Sequence, residues 1–202
     1  MYSRDEILSW YKGYDDDYPE RDRQIEEELG NKLRLSKELT KDDLIKIIEW
    51  KFQDRTKGRR KIILRLLKDI DDSEIRRVVN VALNTENETL RIKKLRDGIT
   101  GVGFALASVI LTFYAPKNYG VFDIHVYDEL FGTNPKTRPK NLFGNCKYYL
   151  KFLRKLREIA KKHDLDVRAV EKALFKKNVV TSQRCLAARR AFDSRTTEGK
   201  KI

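Results

Sequence analysis

Apolar residues recur at intervals of three and four along nearly the whole chain, the spacing that gathers them on one face of an α-helix. Leu44, Ile47, Ile48 and Phe52 form such a stripe behind Thr40-Lys41-Asp42-Asp43, whose threonine and aspartates suit a helix start. Ile75, Val78, Val79, Ala82 and Leu83 form another behind Asp71-x-x-Glu74, a capping-box pattern. These stripes are core faces rather than sites. The same periodicity predicts helices over residues 3–11, 20–33, 62–68, 88–96, 104–114, 125–131, 147–162 and 167–177. No strand-like alternation of useful length and no repeat of fixed period interrupts them, so the expected fold class is all-α. Asn134-Pro135-Lys136-Thr137-Arg138-Pro139 holds two prolines and no apolar residue, which marks an internal linker. Residues 191–202 finish in a polar run and are expected to form a flexible tail.

A chain of 202 residues can bury a core without disulfides or metals. Its longest apolar run, about 102–115, is broken by Gly103, Ser108 and Thr112 and is too short to span a bilayer. The opening MYSRDEILSW lacks the basic-then-apolar layout of a secretory leader, so a cytoplasmic protein without a membrane partner is expected, nucleoid-associated if prokaryotic. Charge changes the picture more. Lys and Arg number 44 against 31 Asp and Glu, a net charge of +13, which points to a polyanionic partner. A thermophile-type surface accounts for 37% charged residues but not for that imbalance. Lys57-Gly58-Arg59-Arg60-Lys61 and the run 147–177 offer basic clusters for phosphates, although each by itself also suits a solvated face. Cys146 and Cys185 lie far apart with no Cys-x-x-Cys spacing, so cysteines alone build neither a zinc nor an iron–sulfur site. Asp15-Asp16-Asp17 lacks the glycine-containing loop of a calcium site and reads as a solvated, helix-capping turn.

Candidate chemistry concentrates in residues 94–126, KLRDGITGVGFALASVILTFYAPKNYGVFDIHV from Lys94 onward. Gly101 and Gly103 bracket Val102 just ahead of an apolar helix, where a tight turn calls for positive φ and leaves amide groups pointing outward. Those amides and the positive end of the following helix favour an anion such as a phosphate. An ordinary helix–helix turn uses the same glycines without any ligand. Asp123 stands directly before Ile124-His125-Val126, a normal N-cap position that also keeps a carboxylate ionised.

Ile99-Thr100-Gly101-Val102-Gly103 resembles the hairpin of the helix-hairpin-helix DNA glycosylase superfamily, which includes endonuclease III and the 8-oxoguanine glycosylases and usually reads Leu-Pro-Gly-Val-Gly. Thr100 replaces the usual proline. Pro116 and Gly120 precede Val121-Phe122-Asp123-Ile124-His125-Val126 as the superfamily's Gly/Pro loop precedes its aspartate, and eighteen residues separate the hairpin's lysine position from Asp123. The likeness covers about 88–131 best. It implies two interlocked helical subdomains with a cleft between them: a central barrel over 40–132 holding the hairpin, and residues 1–39 packed with 133–190. It implies duplex DNA carrying a lesion or mismatch as partner, a monomer, base flipping, and excision by hydrolysis of the N-glycosidic bond, with an oxidised purine such as 8-oxoguanine the first substrate expected. Thr100, Gly101, Val102, Gly103, Phe104 and Ala105 would hold DNA through the hairpin backbone. Asp123 would be catalytic. Strand-nicking relatives carry a lysine where Ala105 stands, so the resemblance implies a monofunctional enzyme without lyase activity. The four-cysteine cluster of endonuclease III is absent. No cofactor is required, and a structural Na⁺ or K⁺ would sit on the carbonyls of Asp97, Ile99 and Val102.

Several residues admit two readings. Trp50, Lys51 and Phe52 end an amphipathic helix, where aromatic rings beside a cation suit a flipped base but equally suit a core. Val109 and Tyr127, one turn beyond Ala105 and Asp123, are further pocket-wall candidates. His125 suits a supporting role near the loop, and His163 a surface one. Two alternatives to the monofunctional glycosylase stay open: a non-catalytic DNA-binding module, and a glycosylase/lyase using a displaced lysine such as Lys51.

Overall fold

A computed structural model describes the backbone of residues 2–52 and 57–198, with side chains except those of Lys57, Arg59 and residues 183–198. Among these residues ten α-helices run in order: α1 (Arg4–Asp16), α2 (Glu20–Ser36), α3 (Lys41–Lys51), α4 (Lys57–Leu66), α5 (Asp72–Leu83), α6 (Glu88–Gly98), α7 (Phe104–Tyr114), α8 (Ile124–Phe131), α9 (Cys146–His163) and α10 (Val167–Glu198), with a 3₁₀ turn at Leu142–Gly144. No strand occurs among the described residues, so the fold is all-α. No helix among them is long and apolar enough to cross a membrane.

The caps show why helices begin where they do. Thr40 accepts from the Asp43 amide at 3.2 Å while the Asp43 carboxylate accepts from the Thr40 amide at 2.7 Å, a reciprocal box that satisfies two donors otherwise orphaned at the start of α3. Asp71 behaves differently from its motif. It occupies the N-cap of α5 by position but makes no side-chain cap bond; the next residue, Asp72, instead accepts from the Lys41 amide at 2.6 Å and ties α5 to α3. Three further boundaries depart from the periodic reading by five residues or more, the first being the end of α1 at Asp16 rather than 11. α4 starts at Lys57 rather than 62, and α10 continues to Glu198 instead of stopping at 177, because no Gly or Pro interrupts residues 167–198. The expected tail therefore lies within a helix as far as 198, with residues 199–202 and these side chains outside the described set.

α7 forms the centre. Every residue from Phe104 to Phe113 is buried, and the helix packs against α2, α3 and α6. α10 is the second hub, against α1, α8 and α9. Leu29, Leu33, Ile47, Ile48, Ile110 and Leu111 exclude water fully within one continuous core, each worth about 1.5–3 kcal/mol relative to an exposed side chain. Close approach governs one glycine: a Cβ on Gly98 would lie 2.6 Å from Val78 Cγ1, so α5 and α6 meet only because that carbon is missing.

A polar seam joins α10 to α2 and α3. Arg168 of α10 pairs with Glu26 of α2 at 2.9 and 3.0 Å and with Glu171 one turn on. Tyr18 donates to Glu26 at 2.8 Å and accepts the Trp50 indole N–H at 2.7 Å, and the Arg168 guanidinium lies over the Trp50 ring. Buried charges require such partners.

Candidate active site

The hairpin is built from the end of α6. Ile99 is extended, Gly101 takes φ +90°, and the Val102 amide donates to the Ile99 carbonyl at 3.0 Å, closing the turn. Val102 is buried beneath it. Gly101 needs its glycine, since that φ strains any side chain. Gly103 does not: it is an extended N-cap with φ −87° and ψ 177°, which corrects the expectation that both glycines serve positive φ. A Cβ on Gly103 would meet nothing within 4 Å, and α7 receives no side-chain cap bond there. The opening amides of α7 are thus uncapped by side chains beside open space, which suits an approaching phosphate. Thr100 is exposed, whereas Phe104 and Ala105 are buried and contribute backbone only. Arg96 lies 5.2 Å from the Phe104 ring centre. The α4 side chains Ile63 and Leu66 cover Gly101, bringing this basic helix to the turn with Lys61 and Arg65 exposed on it. Gly103→Val is accordingly expected to leave the melting temperature within a few degrees while weakening binding to all duplexes alike, since phosphate contacts are blind to sequence. Affinity equal to wild type in a salt-matched titration would remove the hairpin from binding.

For the cation that the resemblance implies, the fit is partial. The Ile99 oxygen is already engaged by the Val102 amide and has one lone pair left.

Asp123 is held by two devices. Buried Ser108 of α7 donates to the Ala105 carbonyl at 2.7 Å and accepts from the Phe122 amide at 2.8 Å, so the helix behind the hairpin sets the backbone immediately before the aspartate. The Phe122 ring is sunk among Phe143, Tyr149 and Phe152. Asp123 then caps α8, with Oδ1 accepting from the His125 amide at 2.9 Å. Its Oδ2 accepts from Lys51 Nζ at 2.6 Å, and the two side chains are only 18% and 11% exposed. Burial pushes the Asp123 carboxyl up, but Lys51 and the His125 amide outweigh it and hold the group below the usual carboxylate range.

Glu171 lies next to this pair. It is fully enclosed, and a Cβ on Gly120 would come within 3.1 Å of its own Cβ, so the loop to Asp123 runs hard against α10. Burial raises its pKa; Arg168 and Lys51 pull down and Asp123 pushes up, with the net direction upward. The site therefore holds an amine, an ionised carboxylate and a second carboxyl whose pKa burial has raised.

Among the pocket candidates, the Lys51 side chain meets the Asp123 carboxylate, and the Tyr127 amide donates to the Asp123 carbonyl at 2.9 Å. Trp50 packs edge-on against Phe113 with its N–H given to Tyr18; Phe52, Val109 and Tyr127 are buried core side chains. His125 contributes its amide, while its ring faces Asn178 at 3.0 Å and Phe175. The basic run 147–177 divides. Lys147, Lys151, Arg154, Lys155 and Lys161 are exposed on α9, but Arg168 and Lys172 are internal and Lys176 and Lys177 pair with Asp17, Glu6 and Glu129. The Lys57 and Arg59 side chains of the other cluster lie outside the described residues. Among the described residues no group of three His, Cys, Asp or Glu is placed to hold a metal ion. Ser108, Arg168 and Glu171 were not legible as site residues, since serine reads as a break in an apolar run and the other two as surface charges of a basic helix.

No family model matches the chain, and no curated protein matches it. Among solved structures it is similar to an 8-oxoguanine glycosylase/lyase of Methanocaldococcus jannaschii, in complex with a 15mer DNA containing 8-oxoguanine, with 17% identity, a TM-score of 0.44, and 85% of this chain and 87% of that one covered.

Proposed function

We propose that this protein is a DNA base-excision glycosylase that breaks the N-glycosidic bond of a damaged or mismatched base in duplex DNA, acting as a monomer. The observation that carries the reading is the ionised Asp123 carboxylate, placed at the start of α8 and tied through Ser108 to the helix that follows the glycine hairpin. Cleaving a glycosidic bond leaves positive charge on the sugar C1′, and a carboxylate fixed in a water-poor site stabilises that charge without reorganising. The base must leave the stack to reach it, which asks the protein to grip the flanking phosphates. The uncapped amides at Gly103 and the exposed cations of α4 and α9 supply that grip. An oxidised purine such as 8-oxoguanine is the first substrate proposed. Ala105 leaves water as the nucleophile available to Asp123 at the hairpin itself, the hydrolytic route.

A panel of duplexes, each with one modified base, treated with protein and then alkali, tests this directly. Alkali-dependent strand breaks at one class of base are expected, with binding that weakens steeply as salt rises through counterion release. Binding to every duplex without base release would leave a non-catalytic DNA-binding module.

A further inference from the structure

We infer that the cavity between α6, α9 and the loop after α7 binds a phosphate monoester, carried by a free nucleotide or by the 5′ end of a DNA strand. Arg34 of α2, Arg91 of α6 and Arg157 of α9 meet around this space of about 670 Å³, with Tyr114 and Tyr119 on its wall. A main-chain carbonyl fixes each guanidinium: Arg34 donates to Phe113, Arg91 to Thr85 and Arg157 to Asn118, each at 2.9 Å. A guanidinium carries more N–H groups than one carbonyl can use, so these bonds hold the fork still and leave donors for a ligand. The ordering cost of binding is thereby met in advance.

The charges around the cavity do not balance within the protein. Arg157 closes on both oxygens of Glu88, at 2.6 and 3.0 Å, and so accounts for that carboxylate. Arg34 turns its other bond to Asn31 and Arg91 to the Tyr119 hydroxyl, and neither pairs with a carboxylate among the described residues. Two positive charges are left over. A phosphate monoester matches them, with about −1.5 to −2 at pH 7 against about −1 for a backbone diester. Tyr119 gives a second, independent indication. It is only 3% exposed, and its oxygen accepts from Arg91 at 2.6 Å while its own proton meets no acceptor among the described residues. Burial raises its pKa, so that proton stays in place. A buried O–H without an acceptor is costly, and a phosphate oxygen held by Arg91 would supply one. Tyr114, half-buried, adds an aromatic surface for a nucleobase. Closing open carbonyls explains one N–H of each arginine, but neither the surplus charge nor the idle hydroxyl. None of these residues belongs to the hairpin or to the Lys51–Asp123 pair, so the inference stands whether or not the protein excises a base.

The test follows the arginine Nε–H signals of the full chain by NMR during titration with inorganic phosphate and with deoxyadenosine monophosphate, against sodium chloride at equal ionic strength. Saturable shifts of Arg34, Arg91 and Arg157 are expected with both phosphates and not with chloride. Arg34→Gln, at an exposed position, should weaken binding roughly tenfold, the worth of one charge-assisted bond. Tyr119→Phe removes only the hydroxyl and should weaken it as well. Lys46→Gln deletes the same charge from an exposed part of α3 outside the cavity and should bind as wild type does. Two comparisons separate the sources. Tighter binding of the nucleotide than of inorganic phosphate assigns the site to a free nucleotide. Tighter binding of a duplex with a 5′ phosphate than of the same duplex with a 5′ hydroxyl, a difference lost in Arg34→Gln, assigns it to a strand end. Shifts that chloride reproduces, equal weakening by Lys46→Gln and Arg34→Gln, or phosphate binding with no preference for either monoester would mean an adventitious ion only, and each overturns the inference. So does the absence of any saturable shift in the wild-type protein, a measurement that needs no variant to fold.

Discussion

Asp123→Asn should lower base excision by about 10²-fold or more while the helices, the hairpin and the affinity for undamaged duplex stay as they are. Asparagine is as good an N-cap as aspartate, so its side-chain oxygen continues to accept from the His125 amide and α8 keeps its start. The variant loses the negative charge. Charge developing on C1′ then meets an amide dipole, and the attacking water has no base to take its proton. The measurement is single-turnover release of base under saturating protein, beside a binding isotherm and a melting curve. Undiminished release would take Asp123 out of the mechanism.

The second large effect is on stability. Arg168→Met should cost about 3–5 kcal/mol, because it removes the bonded counter-charge of two enclosed carboxylates, Glu26 and Glu171, leaving Glu26 only the more distant Lys172. The pH dependence should change sign as well. In the native protein burial would raise the Glu26 pKa, but Arg168, Lys172 and the Tyr18 hydroxyl outweigh it and hold the group at about 2 against an ordinary 4.5. A carboxylate with a depressed folded pKa contributes stability that is present in full above its unfolded pKa and is lost as pH falls through the folded one. Glu26 therefore removes stability between about pH 4.5 and about 2 in the native chain. Without Arg168, protonation relieves two buried charges, so acidification from neutral pH towards 4.5 should raise the variant's stability. Urea midpoints at a series of pH values separate the cases. A variant that weakens on acidification as the native chain does would show that Arg168 is not what keeps Glu26 ionised.

Both effects depend on residues whose parts differ in how well the sequence displays them. The all-α class, most helix spans and the start of α7 at Phe104 follow from periodicity and caps, because a helix's hydrophobic spacing and its N-terminal donors are satisfied within a few residues of chain. Asp123 as an N-cap follows in the same way. Where the local rule misled, a tertiary partner had taken over: Asp72, not Asp71, is engaged, because Lys41 of another helix supplies the amide. Trp50 and Tyr127 are ambiguous in sequence for a related reason, since a ring on an amphipathic helix looks alike whether it stacks on a base or fills a core. The helical content, the basic surface and the place of the aspartate in the chain were thus determined by the sequence alone. That Lys51 rather than a hairpin residue meets Asp123, that Ser108 couples the two parts of the site, and that Arg168 and Glu171 are internal was decided only by tertiary structure. Those contacts join residues 14 to 142 positions apart, Arg168–Glu171 excepted, and burial, which alone makes such charges need one another, is a property of the packed molecule and not of any stretch of the chain.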